Sequence, residues 1–300
     1  VKGGEVTIKQ VYGGMRDVKG LVTDISYVDP SEGIRLRGYT IPELIEKLPR
    51  LEGTEIPNVG GLYYLLLSGE IPTLEEALEV EQEWRSRANV PDYVFNVLRA
   101  MPAQATAMTM FSQAILALQT ESEFTQRYDQ GLQKDDMWDP MFEDSLNMTA
   151  KLPVIAAFIY NLKQRDGQIP QIHPDLDLAG NFASMMGISD PLYSELSRLY
   201  FIIHSDHESG NVSAHATHMV GSTLSDIYYA TSAGMNGLAG PLHGRANQEA
   251  LRWLLDVHEQ LGHVPNDEEL RQFAWDTLNQ GQVIPGYGHA VLRKTDPRFT

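Results

Sequence analysis

No cysteine occurs in the 300 residues, which removes disulfides, thiolate metal sites and a cysteine nucleophile. Long apolar runs are missing as well. The longest, near Leu152 to Tyr160, is interrupted by Pro153 and falls far short of the roughly 20 residues a membrane-crossing helix needs, so the chain reads as soluble. Positive charge is scarce: 23 Lys and Arg against 40 Asp and Glu leave a formal charge of −17. That balance argues against a nucleic-acid surface, because neutralising phosphates takes basic side chains clustered over a face. An anionic ligand must therefore be met by a local basic pocket, and Arg293, Lys294 and Arg298 form such a cluster. The lack of cysteine fits cytosol and mitochondrial matrix equally, and with Val1 in place of an initiator methionine a trimmed targeting segment stays open.

What is present is a globular, mostly helical pattern. A hydrophobic content of 42% suffices for a substantial core, as one large domain or a large domain with a smaller one. Lys19 to Thr40 alternates around Asp29-Pro-Ser-Glu-Gly33 and predicts a β-hairpin. Thr40 with Glu43, Thr73 with Glu76 and Asn266 with Glu269 have the spacing of capping boxes, and Pro91 is placed as a first-turn proline. Ala103 to Gln119 and Ser145 to Gln164 predict helices apolar around most of their circumference, buried in a multilayer domain or at a subunit interface. Met101, Met108 and Met110 read as core filler. Asp190-Pro191 starts a helix to Ile203, Val212 to Leu238 predicts one long or two broken helices, and Gln248 to Leu261 puts Leu251, Leu254, Leu255 and Leu261 on one face.

Three stretches stand out. Met235 to Asn247 crowds three glycines and Pro241 around His243 between two helical segments, so His243 is expected on a tight turn. On its own this fits a helix–helix turn with a satisfied polar group as well as it fits an imidazole meeting a substrate. His204 to His218 holds four of the nine histidines, and Val283 to Arg298 sets His289 on another Gly/Pro turn followed by Arg293, Lys294 and Arg298.

Taken in order, these stretches closely resemble citrate synthase, and the likeness runs from Tyr12-Gly-Gly-Met-Arg16 to Thr300, nearest to the mitochondrial-type branch. The resemblance implies a mainly α multilayer helical fold, with a large domain over 1–244 carrying the small β-hairpin and the start of a small domain over 245–300. It implies condensation of acetyl-CoA with oxaloacetate by a homodimer without metal or permanently bound cofactor, CoA entering as co-substrate. His243 would hydrogen-bond the thioester oxygen and stabilise the enol, and His289 would donate to the ketone of oxaloacetate. His207 and Asn211 match oxaloacetate-binding positions, and Arg298 matches an arginine that pairs with its carboxylate, where a planar fork grips bidentately. Val283, Ile284, Gly286, Tyr287 and Gly288 match the loop that meets the adenine of CoA, Arg16 and Arg293 match phosphate contacts, and Lys134 aligns with a further one supplied by the neighbouring subunit, where the family has Arg. His204, His215 and His218 are expected in packing or helix-terminus bonds. His173, His258 and His263 carry no signal beyond surface residues.

The family's catalytic aspartate and further arginines fall beyond Thr300, so no aspartate is assigned. Truncation is the expectation, against a split enzyme or an inactive homologue. The rival readings are 2-methylcitrate synthase with propionyl-CoA, a citryl-CoA lyase module, a non-catalytic subunit, and a metal-dependent hydrolase using His204, His207, His215 and His218 with Asp206 and Glu208.

Overall fold

Asp29 makes the hairpin turn by accepting from the backbone N–H of Ser31 (2.7 Å) and Glu32 (2.9 Å) through Oδ1, and Gly33 closes it at φ +87°. The computed structural model, which describes residues 5–12, 23–208, 210–289 and 291–299, places a short helix α1 (Ile8–Tyr12) ahead of this turn. Strands β1 (Ser26–Asp29), β2 (Gly33–Leu36) and β3 (Tyr39–Thr40) follow as an antiparallel sheet in the order β1-β2-β3, with Ser26 opposite Leu36 and Val28 opposite Ile34. The first strand is shorter than the alternation from Lys19 predicts: it starts at Ser26, and 13–22 lie outside the described residues.

Gly33 cannot be replaced without cost. A Cβ there would lie 2.5 Å from Cδ of Pro297, and the left-handed backbone itself penalises a side chain by about 1–2 kcal/mol. Gly33→Ala is accordingly expected to lower Tm by about 3 °C or more in calorimetry, and an unchanged Tm would mean that the Pro297 segment does not rest on the hairpin.

The helices are α2 (Ile41–Lys47), α3 (Val59–Ser68), α4 (Leu74–Arg87), α5 (Asp92–Ala100), α6 (Ala107–Leu118), α7 (Glu123–Asp129), α8 (Trp138–Gln164), α9 (Leu178–Met185), α10 (Pro191–Ile203), α11 (Val212–Gly221), α12 (Ile227–Leu238), α13 (Ala246–Leu261) and α14 (Asp267–Asn279). All three capping boxes form, at Thr40, Thr73 and Asn266. Pro91 is the N-cap of α5 and not its first residue. α6 starts only at Ala107 because Thr106 accepts from the Thr109 N–H. The segment 212–238 is two helices, broken where Asp226 accepts from the N–H groups of Tyr228 and Tyr229 to start α12 afresh.

α8 is the axis of the main core: Ile155, Ala157 and Phe158 are fully buried, with α4, α5, α6, α9 and α12 around them. Met110 is buried in that core and Met101 packs against it. A second cluster joins the hairpin (Val28, Ile34, Leu36) to α2, α3 and Ile202 of α10, and Val291 and Leu292 pack onto it. The histidine-bearing segments emerge at this junction. Beyond α12 packing thins: α13 and α14 meet through Trp253, edge-on to Phe273 at 5.6 Å. The leucine face of α13 is not buried; Leu251, Leu254 and Leu255 are all more than half exposed, and Val257 is its buried residue.

Candidate active site

α10 ends at His204, whose N–H donates to the Tyr200 carbonyl (3.1 Å) and whose ring stacks on Tyr200 at 4.1 Å, the helix-terminus role expected of it. His207 meets His289 with ring centroids 5.5 Å apart. His289 follows a β-turn in which the Tyr287 N–H reaches the Ile284 carbonyl (3.3 Å) around Pro285 and Gly286. The φ of +82° at Gly286 is the sign a type II turn demands at that position. Nδ1 of His289 accepts from the backbone N–H of Val291 (3.0 Å) and Leu292 (3.1 Å). That nitrogen therefore carries no proton, and the neutral ring holds its proton on Nε2, as a donor.

Burial first, and the Arg298 guanidinium second, push the proton affinity of both His207 and His289 below the ordinary imidazole range. Both rings are thus neutral near pH 7. Arg298 itself is engaged: Nε lies 2.9 and 3.0 Å from the two Asp296 oxygens, and the terminal nitrogen Nη2 donates to Oδ2 at 2.5 Å. The fork expected to grip a substrate carboxylate is filled by a carboxylate of the chain itself. Burial opposes ionisation of Asp296, but those bonds hold it below the usual carboxylate range.

Asn211 caps α11, its Oδ1 accepting from the Ala214 N–H (2.9 Å) while Nδ2 donates to the carbonyls of His207 (2.8 Å) and Glu208 (3.1 Å). The Ser213 hydroxyl donates to the same Oδ1 (2.6 Å) and lies 2.8 Å from Nε2 of His243. A hydroxyl has one proton, so His243 donates from Nε2 to Ser213 and presents a bare Nδ1 on its other side. His243 stands on the expected turn between α12 and α13, its main-chain N–H donating to the Gly240 carbonyl (3.0 Å) and its main-chain carbonyl accepting from the Ala246 N–H (3.0 Å). Burial lowers its proton affinity too. Contacts thus run unbroken from His243 through Ser213, Asn211 and His207 to His289.

The remaining predicted residues are more scattered. Val283 and Tyr287 are about three-quarters exposed, with Ile284, Gly286 and Gly288 in the same surface loop. Arg293 is tied through its backbone N–H to the Pro30 carbonyl (2.7 Å). Lys134 lies exposed in the turn Lys134–Asp136 ahead of α8, and among the described residues no hydrogen bond joins it to 283–288. Arg16 lies outside the described residues.

A cavity of about 600 Å³ opens behind the histidine loop, its wall including Ser26, Asp206, Glu208 and His218 together with apolar side chains of α3, α8 and α10. Neither His243 nor His289 is on its wall. Among the described residues no three histidine or carboxylate side chains converge as a metal would require.

Three participants escaped the sequence reading: Ser213, Glu208 as a structural partner, and Asp296. Ser213 stands two residues beyond an N-cap, a common place for a hydroxyl. Asp296 accepts from the Arg298 main-chain N–H two residues on, the spacing of an Asx turn, whereas nothing local announces Glu208.

The chain as a whole is similar to known proteins. A family model described as the citrate synthase C-terminal domain matches residues 14–300. The chain is 52% identical over 298 residues to the mitochondrial citrate synthase of Xiphias gladius, covering 99% of this chain and 64% of that protein. It is 50% identical over 300 residues to the probable mitochondrial citrate synthase of Glossina morsitans morsitans, again covering 64% of the relative. The chain thus spans a little under two thirds of the length of these relatives. Among solved structures, the citrate synthase of Pyrobaculum aerophilum superposes with a TM-score of 0.81 at 29% identity, over 95% of this chain and 68% of that one. A citrate synthase of Thermoplasma acidophilum, in ternary complex with carboxymethyl coenzyme A and oxaloacetate, shares the fold with a TM-score of 0.76 at 22% identity, over 95% of this chain and 69% of that one.

Proposed function

Since the chain belongs to the citrate synthase family, we propose that the native enzyme condenses acetyl-CoA with oxaloacetate and water to give citrate and CoA. A base removes a proton from the acetyl methyl group, the resulting enol attacks the ketone carbon of oxaloacetate, and water cleaves the thioester of the citryl-CoA so formed. The observation that carries this reading is His289 held neutral, with two backbone N–H groups on Nδ1, so that its proton sits on Nε2. A fixed donor of that kind suits a ketone oxygen that gains negative charge as the carbon–carbon bond forms.

His243 takes the thioester oxygen. To donate there from Nδ1, the neutral ring must take its other tautomer, giving its Nε2 proton to water and taking one from water on Nδ1, and Ser213 can accommodate the bared Nε2 by turning its own proton from Asn211 toward it. His207, Asn211 and Arg298 hold oxaloacetate, Asp296 yielding the Arg298 fork to the incoming carboxylate. Arg16, Arg293 and the 283–288 loop hold CoA, joined by Lys134 from the neighbouring subunit of a homodimer; no permanently bound cofactor takes part. The division into 1–244 and 245–300 belongs to this reading too. It is supported by the thin packing beyond α12 and by the glycines around His243, which suit a hinge that closes the domains and excludes water.

Thiol release from acetyl-CoA, followed with a chromogenic disulfide, is expected to require oxaloacetate. Release independent of oxaloacetate would overturn the reading, and faster turnover of propionyl-CoA would move the enzyme to 2-methylcitrate synthesis.

A further inference from the structure

Glu208 adopts φ +45°, the left-handed region that costs a non-glycine residue about 1–2 kcal/mol. Such a conformation persists only where its surroundings over-determine it. Here they do. The Glu208 N–H donates to Oγ of buried Ser26 (2.7 Å), its Oε2 accepts from the Val28 N–H (3.0 Å), and its carbonyl accepts from Asn211 (3.1 Å). Ser26 and Val28 are on β1, which among the described residues is an edge strand, so the carboxylate satisfies a main-chain donor at the edge of the sheet.

The same sheet holds the other histidine. The Arg293 N–H bonds the Pro30 carbonyl in the hairpin turn, Pro297 lies over Gly33, and Val291 and Leu292 pack on the cluster of Val28, Ile34 and Leu36. Two segments far apart in sequence are therefore fastened to one small platform, and His207 and His289 meet where they converge.

We propose that Glu208 is a positioning residue: by clamping the His207 loop to the edge of β1, it sets His207 in register with His289 on the hairpin they share. The inference rests on the proposed condensation for its kinetic consequence, though not for its geometry. His289 lies close enough to both Glu208 and Arg298 for their charges to act on it, so a slipped clamp would disturb the ketone-binding side of the site.

Three variants of the native enzyme test it. Glu208→Gln keeps an oxygen for the Val28 N–H and is expected to stay within about threefold of wild type. Glu208→Ala is expected to lose on the order of tenfold to a hundredfold in kcat/KM for oxaloacetate, the scale on which small misplacements act, with KM for acetyl-CoA nearly unchanged. Glu208→Gly relieves the left-handed backbone and keeps the main-chain bond to Ser26 but loses the side-chain bond to the Val28 N–H, so it should be more stable than Glu208→Ala and equally impaired.

Full activity in Glu208→Gly would overturn the proposal, because the residue would then only fill a turn. Impairment of Glu208→Gln equal to that of Glu208→Ala would overturn it as well. Should the wild-type enzyme itself fail to use oxaloacetate, the functional reading falls and the clamp is judged by a crystal structure of Glu208→Gly. His207 displaced from its position against His289 supports the clamp, and His207 unmoved refutes it.

Discussion

Replacing His289 by alanine in the native enzyme is expected to lower kcat by on the order of a hundredfold or more, the contribution of a positioned proton donor. Alanine alone would be ambiguous, because it also strips the acceptor from the Val291 and Leu292 N–H groups and could let the loop collapse. Two further substitutions separate these effects. Asparagine sets its Oδ1 close to the place of Nδ1, so His289→Asn keeps the loop and loses the donor. Glutamine puts an N–H near the place of Nε2, so His289→Gln keeps a donor and loses the loop anchor. If the donor matters, His289→Asn should be as slow as His289→Ala while melting like wild type, and His289→Gln should recover part of kcat. A His289→Asn enzyme with normal kcat and a raised KM would make His289 a binding group and not a catalyst. The same substitution at His243 should cost a comparable factor, since its ring faces the other reactant in the proposed condensation.

Much of the scaffold around these imidazoles was legible because it is local. A capping box is a four-residue device, and Thr40, Thr73 and Asn266 each form theirs with the glutamate three positions on. The α10 start at Pro191 and the hairpin turn at Asp29 are likewise fixed by side chains within three residues. The joints between segments were not legible. Glu208 bonds Val28 and Ser26 across 180 and 182 positions, and no periodicity reports a partner so distant. Arg298 was marked as a carboxylate ligand by its place in a motif, yet the carboxylate it grips is Asp296, two residues away. The leucines of α13 show the limit from the other side: their spacing announces an apolar face, but among the described residues nothing covers it. Pattern specifies which face is apolar, whereas burial also needs a partner.

The largest expected loss of stability lies away from the histidines, at Arg198. Its guanidinium holds Asp177 through Nε (2.7 Å) and a terminal nitrogen (2.9 Å), and Glu195 through the other (2.7 Å). Asp177 in turn caps α9 at the Gly180 N–H, and Glu195 accepts from the Ile56 N–H, so one cation ties α9 and α10 to the chain ahead of α3. Glu81 lies beside them, fully buried, accepting from Asn58 (3.0 Å) and the Leu178 N–H (2.7 Å). Three carboxylates around one guanidinium cannot all ionise at low cost. Burial first, and Asp177 second, push Glu81 up to about 7. Arg198→Met, which preserves much of the volume, should therefore destabilise by about 3–5 kcal/mol, because it strands buried carboxylates.

Glu81 gives the complementary signature. With its folded value above the unfolded one of 4.5, the native protein keeps a proton that the unfolded chain has lost. Stability must then fall as pH rises through that interval, by of order 3 kcal/mol in total, and level off above it. Glu81→Gln should abolish this slope and be more stable than wild type at pH 8. Its amide can also donate to Asn58 Oδ1, a buried oxygen without a partner among the described residues, once the Asn58 side chain turns. Urea unfolding of both proteins at pH 5 and pH 8 decides the matter: parallel pH dependence in wild type and Glu81→Gln would mean that Glu81 is ionised throughout and that Arg198 balances all three carboxylates.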